Sequence, residues 1–197
     1  IIKSGPIPFV RFMELALYHP QYGYYMRQSD GVDHGPIGWS GDFYTSSDVH
    51  PILGRAIAAQ ARQMDKLLGC PTPFTIVEMG AGKGLVARDC LAAIHAEQDE
   101  FASRVRYVLI ERSPAMRELQ RRNLAPWFNK PGLVTWVEGL DGLATQSVTG
   151  LFFSNELIDA FPVHRVQVTA GRTEELYVDY RDGCLVNCLK ALSTAKL

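Results

Sequence analysis

The chain has 197 residues, a formal net charge of −1 and 47% hydrophobic residues, enough apolar content for one substantial core and too much for a disordered chain. Its Lys and Arg are scattered, so there is neither the basic stripe of a nucleic-acid binder nor a polybasic membrane surface. No apolar run approaches the roughly 20 residues that span a bilayer and no secretory leader is visible, so the chain reads as soluble; because it begins with Ile, a removed targeting segment stays open.

Pro6 to Tyr18 predicts an amphipathic helix, with Pro at its start, Phe9, Phe12, Met13, Ala16 and Leu17 at helical spacing, and an end before Pro20. Gln21 to Gly41 is rich in Gly, Tyr and Asp without periodicity and reads as a long loop, in which Tyr22, Tyr24 and Tyr25 either stack on a ligand or cover the core edge. The hydroxyl-rich Gly41 to Pro51 opens a helix to about Leu68 whose apolar face is Leu53, Ile57, Ala61, Met64 and Leu68. Thr45 and Ser46 there are read as cofactor contacts, with N-cap and turn roles as the alternative.

The segment from Phe74 to Cys90 organises the chain. Phe74, Ile76 and Val77 form a short β-branched and aromatic run suited to a strand covered on both faces. Gly80, Gly82 and Gly84 then let the backbone pass close to a ligand at the start of a helix over Leu85 to about Ala96. A dinucleotide fingerprint would need glycine at position 85, which is Leu, and a P-loop would need a hydroxyl residue after Gly-Lys, where Gly84 stands. What remains is Glu78-x-Gly80-x-Gly82-x-Gly84, which resembles motif I of the class I S-adenosylmethionine-dependent methyltransferases. The carboxylate suits a cofactor with an ammonium group and a sulfonium; a ligand-free turn is the alternative.

Arg106 to Glu111 predicts a second parallel strand after a helical crossover, ending in a carboxylate placed to accept a ribose diol, with a solvated strand-end charge as the alternative, and Ser113-Pro114 starts the next helix. Leu133 to Glu138 and Gly150 to Asn155 supply a third and fourth strand. The fold class is α/β, a partial doubly wound Rossmann-like sheet with Gly80, Glu111, Gly139 and Asn155 on one rim. Val163 to Leu189, with turns at Ala170-Gly171 and Asp182-Gly183, predicts antiparallel hairpins inserted on that sheet. The expected domains are an N-terminal helical and cofactor-covering segment (1–70), a cofactor-binding core (71–162) and a β insertion (163–197). Cys70, Cys90, Cys184 and Cys188 form no C-x-x-C pair and the five histidines no ligand spacing, so reduced thiols and no metal are expected.

Four stretches together resemble the MidA-type methyltransferases: Gly5 to Tyr18 with Gly23-Tyr-Tyr25, Gly41 to Ser46, Glu78 to Gly84, and Ser154-Asn-Glu-Leu-Ile-Asp-Ala-Phe-Pro-Val163. Mitochondrial members of that family assist complex I assembly by methylating an arginine of a subunit, and its members run on beyond the stretch matched here. The resemblance implies S-adenosylmethionine as cofactor and an arginine-bearing protein, such as a complex I subunit, as partner. It also implies a bacterial cytoplasmic or a mitochondrial matrix location. Gly80, Ala81, Gly82 and Gly84 would lie near the methionine end, Glu111 on the ribose, and Gly139 and Leu140 near the adenine, with Asn155 beside the methyl. Glu156 and Asp159, one helical turn apart or less, would receive a guanidinium, since planar paired hydrogen bonds match carboxylates to arginine; helix N-terminal charges are the alternative reading. Competing functions are a nicotinamide dehydrogenase, disfavoured by Leu85, and a non-catalytic assembly scaffold that keeps the nucleoside site.

Overall fold

The computed structural model describes residues 1–26 and 46–197. In chain order its elements are β1 (Ile7–Pro8), α1 (Phe9–Tyr18), α2 (Ser46–Val49), α3 (Ile52–Leu67), β2 (Phe74–Met79), α4 (Leu85–Ala96), α5 (Glu100–Arg104), β3 (Val105–Ile110) and α6 (Pro114–Asn123). There follow β4 (Val134–Val137), β5 (Gly150–Ser154), β6 (Val166–Thr169), β7 (Arg172–Arg181) and β8 (Cys184–Lys190). The described residues fall into two compact units, 46–157 and 1–26 with 158–197.

The first unit holds a parallel sheet of order β4-β3-β2-β5. Val77 pairs with Val108 on one side and Phe152 on the other. Phe74, Ile76 and Val77 have no exposed surface, as their β-branched and aromatic character on a central strand predicts. The strand order reverses beside β2, because β3 and β4 lie to one side of it and β5 to the other. In an open parallel sheet this reversal leaves a crevice beyond the strands' C-terminal ends.

Helix α3 packs on α4, and its buried stripe is Gly54, Ala58, Ala61 and Asp65. The expected face is met in part: Ala61 is buried and Ile57 and Met64 are half-buried against the core, but Leu68 is 48% exposed and the most deeply buried positions are small or polar. The reason is close helix approach. A Cβ at Gly54 would lie 2.6 Å from the Asp89 Cβ and 2.8 Å from the Cys90 nitrogen, so only small residues fit the contact. Buried Asp65 is satisfied by a two-pronged pair with Arg104 at 2.7 and 2.8 Å, and Arg104 also donates to the Pro71 carbonyl.

The second unit is an antiparallel sheet around β7, with β8 along one edge and β6 and β1 end to end along the other. The hairpins, expected as an antiparallel insertion rather than a continuation of the parallel sheet, form a sheet of their own; what was not expected is that the N-terminus joins it, through Ile7↔Val178 and Pro8↔Tyr177. Helix α1 therefore starts at Phe9 rather than Pro6, since Ile7 and Pro8 are taken up as a strand. Tyr18 donates from its hydroxyl to the Ala160 carbonyl at 2.8 Å, and the Arg165 guanidinium lies 4.8 Å from the Phe9 ring centroid. Fully buried Glu175 accepts from Ser193 N–H at 2.6 Å and meets His164 Nδ1 at 2.7 Å. The observed units thus differ from the expected boundaries at 70 and 162: strand pairing draws the N-terminus to the C-terminal hairpins, and helix packing keeps α3 with the parallel sheet.

Candidate cofactor site at the strand rim

The four parallel strands deliver Gly80, Glu111, Gly139 and Asn155 at or just past their C-terminal ends, as expected. The turn after β2 is held by Gly80 N–H donating to the Ile110 carbonyl at 3.1 Å and Gly84 N–H donating to the Ala81 carbonyl at 2.8 Å. Gly80, Gly82 and Gly84 all have positive φ, at 73°, 52° and 77°, which side-chain-bearing residues rarely adopt. Their surroundings differ. A Cβ on Gly80 would meet Leu157 at 2.6 Å and one on Gly84 would meet Gln120 at 3.1 Å, whereas among the described residues nothing lies within 4 Å of a Cβ on Gly82. Gly82 is therefore the glycine with open space beside it, where a ligand would approach; Gly80 and Gly84 let the protein close on itself. Ala81 is 7% exposed and belongs to the core.

Helix α6 grips this turn. Gln120 Nε2 donates to the Gly82 carbonyl at 2.8 Å and Asn123 Nδ2 to the Lys83 carbonyl at 2.9 Å. The two side chains share a helix face at i, i+3. With Gly82's carbonyl turned toward α6, trans peptide geometry turns the Lys83 N–H away from it. The Lys83 ammonium pairs with Asp48, whose side chain is 2% exposed, so α2 is tied to the same turn.

Glu111 follows β3 with its carboxylate held from both ends: Oε1 accepts from Ser113 N–H at 2.9 Å and Oε2 from Gln120 Nε2 at 3.3 Å. Burial raises its pKa above the ordinary value, against the lowering effect of these hydrogen bonds. Ser113 caps α6 with Pro114 at its first position, as read from the sequence. A carboxylate accepts about four hydrogen bonds, so Glu111 retains capacity for a diol.

Glu78 lies at the base of the turn. It is 2% exposed, accepts a 2.7 Å hydrogen bond from the Tyr107 hydroxyl, and lies near enough to Cys90 to help raise that thiol's pKa after burial. Burial pushes its own pKa up to about 7. Strand alternation puts it on the face of Phe74 and Ile76, where Tyr107 is its partner.

At the far strands, Gly139 is extended, Leu140 is 55% exposed, Asn155 is half-buried and Glu156 is exposed with φ 48°. A left-handed non-glycine residue at a strand end is a feature met at binding sites. The expected helical spacing of Glu156 and Asp159 is not present. Glu156 precedes a single 3₁₀ turn, Ile158–Ala160, and Asp159 belongs to the other compact unit, where it contributes to raising the Tyr25 pKa. Thr45 lies outside the described residues, and Ser46 is described only as the backbone start of α2.

Gln120 and its indole partner Trp136 were not singled out by sequence reasoning. The available signal was a polar residue one turn after Met116 on the buried face of α6; Gln120 has no exposed surface. A cavity of about 420 Å³ lined by His95, Arg106, Lys130 and Leu133 among others opens at the strands' opposite, N-terminal ends and contains none of the expected site residues. Among the described residues no helix is long and apolar enough to cross a membrane, and no group of three or more His, Cys, Asp and Glu could hold a metal ion.

A glycine turn at a topological switch point, with a held carboxylate at the end of the neighbouring strand, is the arrangement with which Rossmann-like proteins receive nucleoside ligands. The family model described as "Putative S-adenosyl-L-methionine-dependent methyltransferase" matches residues 54–197, and the chain belongs to that family. The protein arginine methyltransferase NDUFAF7 homolog, mitochondrial, of Drosophila melanogaster is 29% identical over 91% of this chain and 43% of its own length. The Rattus norvegicus protein arginine methyltransferase NDUFAF7, mitochondrial, is 26% identical over the same shares. A crystal structure from Burkholderia thailandensis, described as a "likely methyl transferase" bound to S-adenosyl-homocysteine, superposes with a TM-score of 0.77 at 28% identity, covering 99% of this chain and 48% of that one. The chain thus spans a little under half the length of these relatives.

Proposed function

We propose that the chain binds S-adenosylmethionine at the β2–β5 rim and forms the cofactor-holding part of a protein-arginine methyltransferase. The observation that carries this reading is the Gly82 turn: a positive-φ glycine with open space beside it, braced by α6, at the reversal of strand order. The residues fit the group. Gly80, Ala81, Gly82 and Gly84 shape the wall for its amino-acid end, Glu111 accepts from the ribose, and exposed Leu140 after Gly139 offers an apolar cover for the adenine. Asn155 stands at the adjoining strand end.

The cofactor supplies an electrophilic methyl on a sulfonium, and the protein's task is to position a nucleophile in line and exclude water. Exposed Glu156 would hold the acceptor's guanidinium through charge-assisted hydrogen bonds without neutralising it, a match that favours arginine over lysine. The relatives' names support an arginine-bearing protein substrate; a complex I subunit is the specific candidate, with the mitochondrial matrix as location in a eukaryote and the cytoplasm in a bacterium. Transfer of a labelled methyl group to complex I subunits by the intact protein, read by mass spectrometry at arginine, tests the reading. Methylation confined to lysine, or none with bound cofactor, would contradict it.

A further inference from the structure

We propose that Gln120 is the positioning residue of the ribose subsite, its side-chain amide holding the Glu111 carboxylate in the orientation that accepts a ribose diol and coupling it to the glycine turn. This role presupposes the adenosyl cofactor assigned above. It begins with an asymmetry in hydrogen-bonding chemistry. The Trp136 indole can only donate, and its Nε1–H meets Gln120 Oε1 at 2.8 Å. That contact fixes which way the amide faces. Nε2, with two hydrogens to give, is left pointing at two acceptors, the Gly82 carbonyl at 2.8 Å and Glu111 Oε2 at 3.3 Å.

Gln120 has no exposed surface, so each of these groups would cost free energy if left unpaired. The three partners come from three places: the turn after β2, the end of β3 and strand β4. One amide therefore sets the distance between the surface offered to the methionine end and the carboxylate offered to the ribose. Ser113 N–H holds the other oxygen, Oε1, so without Gln120 the oxygen Oε2 loses its side-chain donor and the plane of the carboxylate is less firmly set. A hydrogen-bonded carboxylate also keeps its charge more readily, and Gln120 is among the groups that lower the Glu111 pKa against burial.

The test compares S-adenosylhomocysteine with its 2′,3′-dideoxy counterpart by calorimetry on the intact protein and on Gln120→Met, Glu111→Gln and the double variant. Gln120→Met is expected to weaken the diol-bearing ligand about tenfold and the dideoxy ligand less than twofold, and to add no further loss in the Glu111→Gln background. Equal losses for both ligands, or additive losses in the double variant, would overturn the assignment and leave Gln120 as a brace of the turn alone. Trp136→Phe, which keeps Gln120 but frees its amide to flip, is a milder change and should give a smaller loss with the same ligand dependence. An NMR titration of the Glu111 carboxyl without ligand separates this proposal from the cofactor reading: Gln120→Met should raise its pKa. If the wild type bound neither ligand, the cofactor reading would fail and the ribose role with it; binding of both ligands with an unshifted Glu111 titration would overturn the coupling between the two side chains alone.

Discussion

The two sides of the rim are built differently. At β2 and β3 the polar groups are braced: the turn's carbonyls are gripped by Gln120 and Asn123, Lys83 is paired with Asp48, and Glu111 is held by Ser113 and Gln120. At the end of β5, Glu156 is exposed, left-handed in backbone and without a hydrogen-bond partner among the described residues. Preorganised groups suit a ligand bound the same way at every turnover, since their ordering cost is met at folding. An exposed carboxylate suits a substrate that arrives on another protein and supplies its partner on docking. Under the proposed function the braced side would serve the cofactor and the bare side the acceptor.

The sharpest way to break this contrast is Gly82→Val. The β-branched side chain would occupy the open space beside the turn and resist its positive φ, so affinity for S-adenosylhomocysteine should fall by two orders of magnitude or more, about 3 kcal/mol, as read by calorimetry. Retained affinity would mean that the open space is not the ligand's.

The foundation of the braced side should show in stability. Glu78 has its folded-state pKa raised from 4.5 to about 7, so the folded protein holds a proton that the unfolded chain releases between those values. Its unfavourable contribution is absent below pH 4.5, grows as pH rises toward 7 and is constant above, reaching about 3 kcal/mol. In Glu78→Gln that part of the decline should vanish, and urea unfolding across pH 4 to 8 would show a flatter profile than the wild type. Parallel profiles would place the Glu78 charge elsewhere than in a dry core.

On the bare side, Glu156→Gln should reduce arginine methylation by about tenfold or more, about 1.4 kcal/mol, with little change in cofactor affinity. Equal losses in turnover and cofactor affinity would move Glu156 to the braced side. The smallest expected effect is a pH dependence. Because burial raises the Glu111 pKa, ribose-dependent affinity should begin to weaken at a pH above the usual carboxylate range as the solution is acidified, by a few-fold. The dideoxy ligand should not share that dependence.

Local signals made the parallel core legible from the sequence. The β2 run, the glycine spacing, the α4 limits and the Ser113-Pro114 cap are each written within a few residues, and the structure follows them. What was not legible depends on partners distant in sequence. The most deeply buried stripe of α3 is set by the approach of α4 at Gly54, so small residues lie at its centre and the larger Ile57 and Met64 only flank it. Ile7 and Pro8 are a strand only because β7, some 170 residues later, presents its edge. Glu78 carries the motif's acidic residue, but the sequence does not show which face of β2 Tyr107 will close. The Glu156–Asp159 spacing suggested one helix, while the chain takes a left-handed residue and a single 3₁₀ turn there. Gln120 was hidden for the opposite reason: a glutamine on a helix is ordinarily a solvated residue, and only the glycine turn and Trp136 make it a junction.

The most direct measurement of the central claim is paired calorimetry of the intact protein with S-adenosylhomocysteine and with NAD. The account predicts binding of S-adenosylhomocysteine, lost in Gly82→Val, and no binding of NAD, for which the turn lacks the third glycine of the dinucleotide fingerprint at Leu85. Binding of NAD without binding of S-adenosylhomocysteine would contradict it.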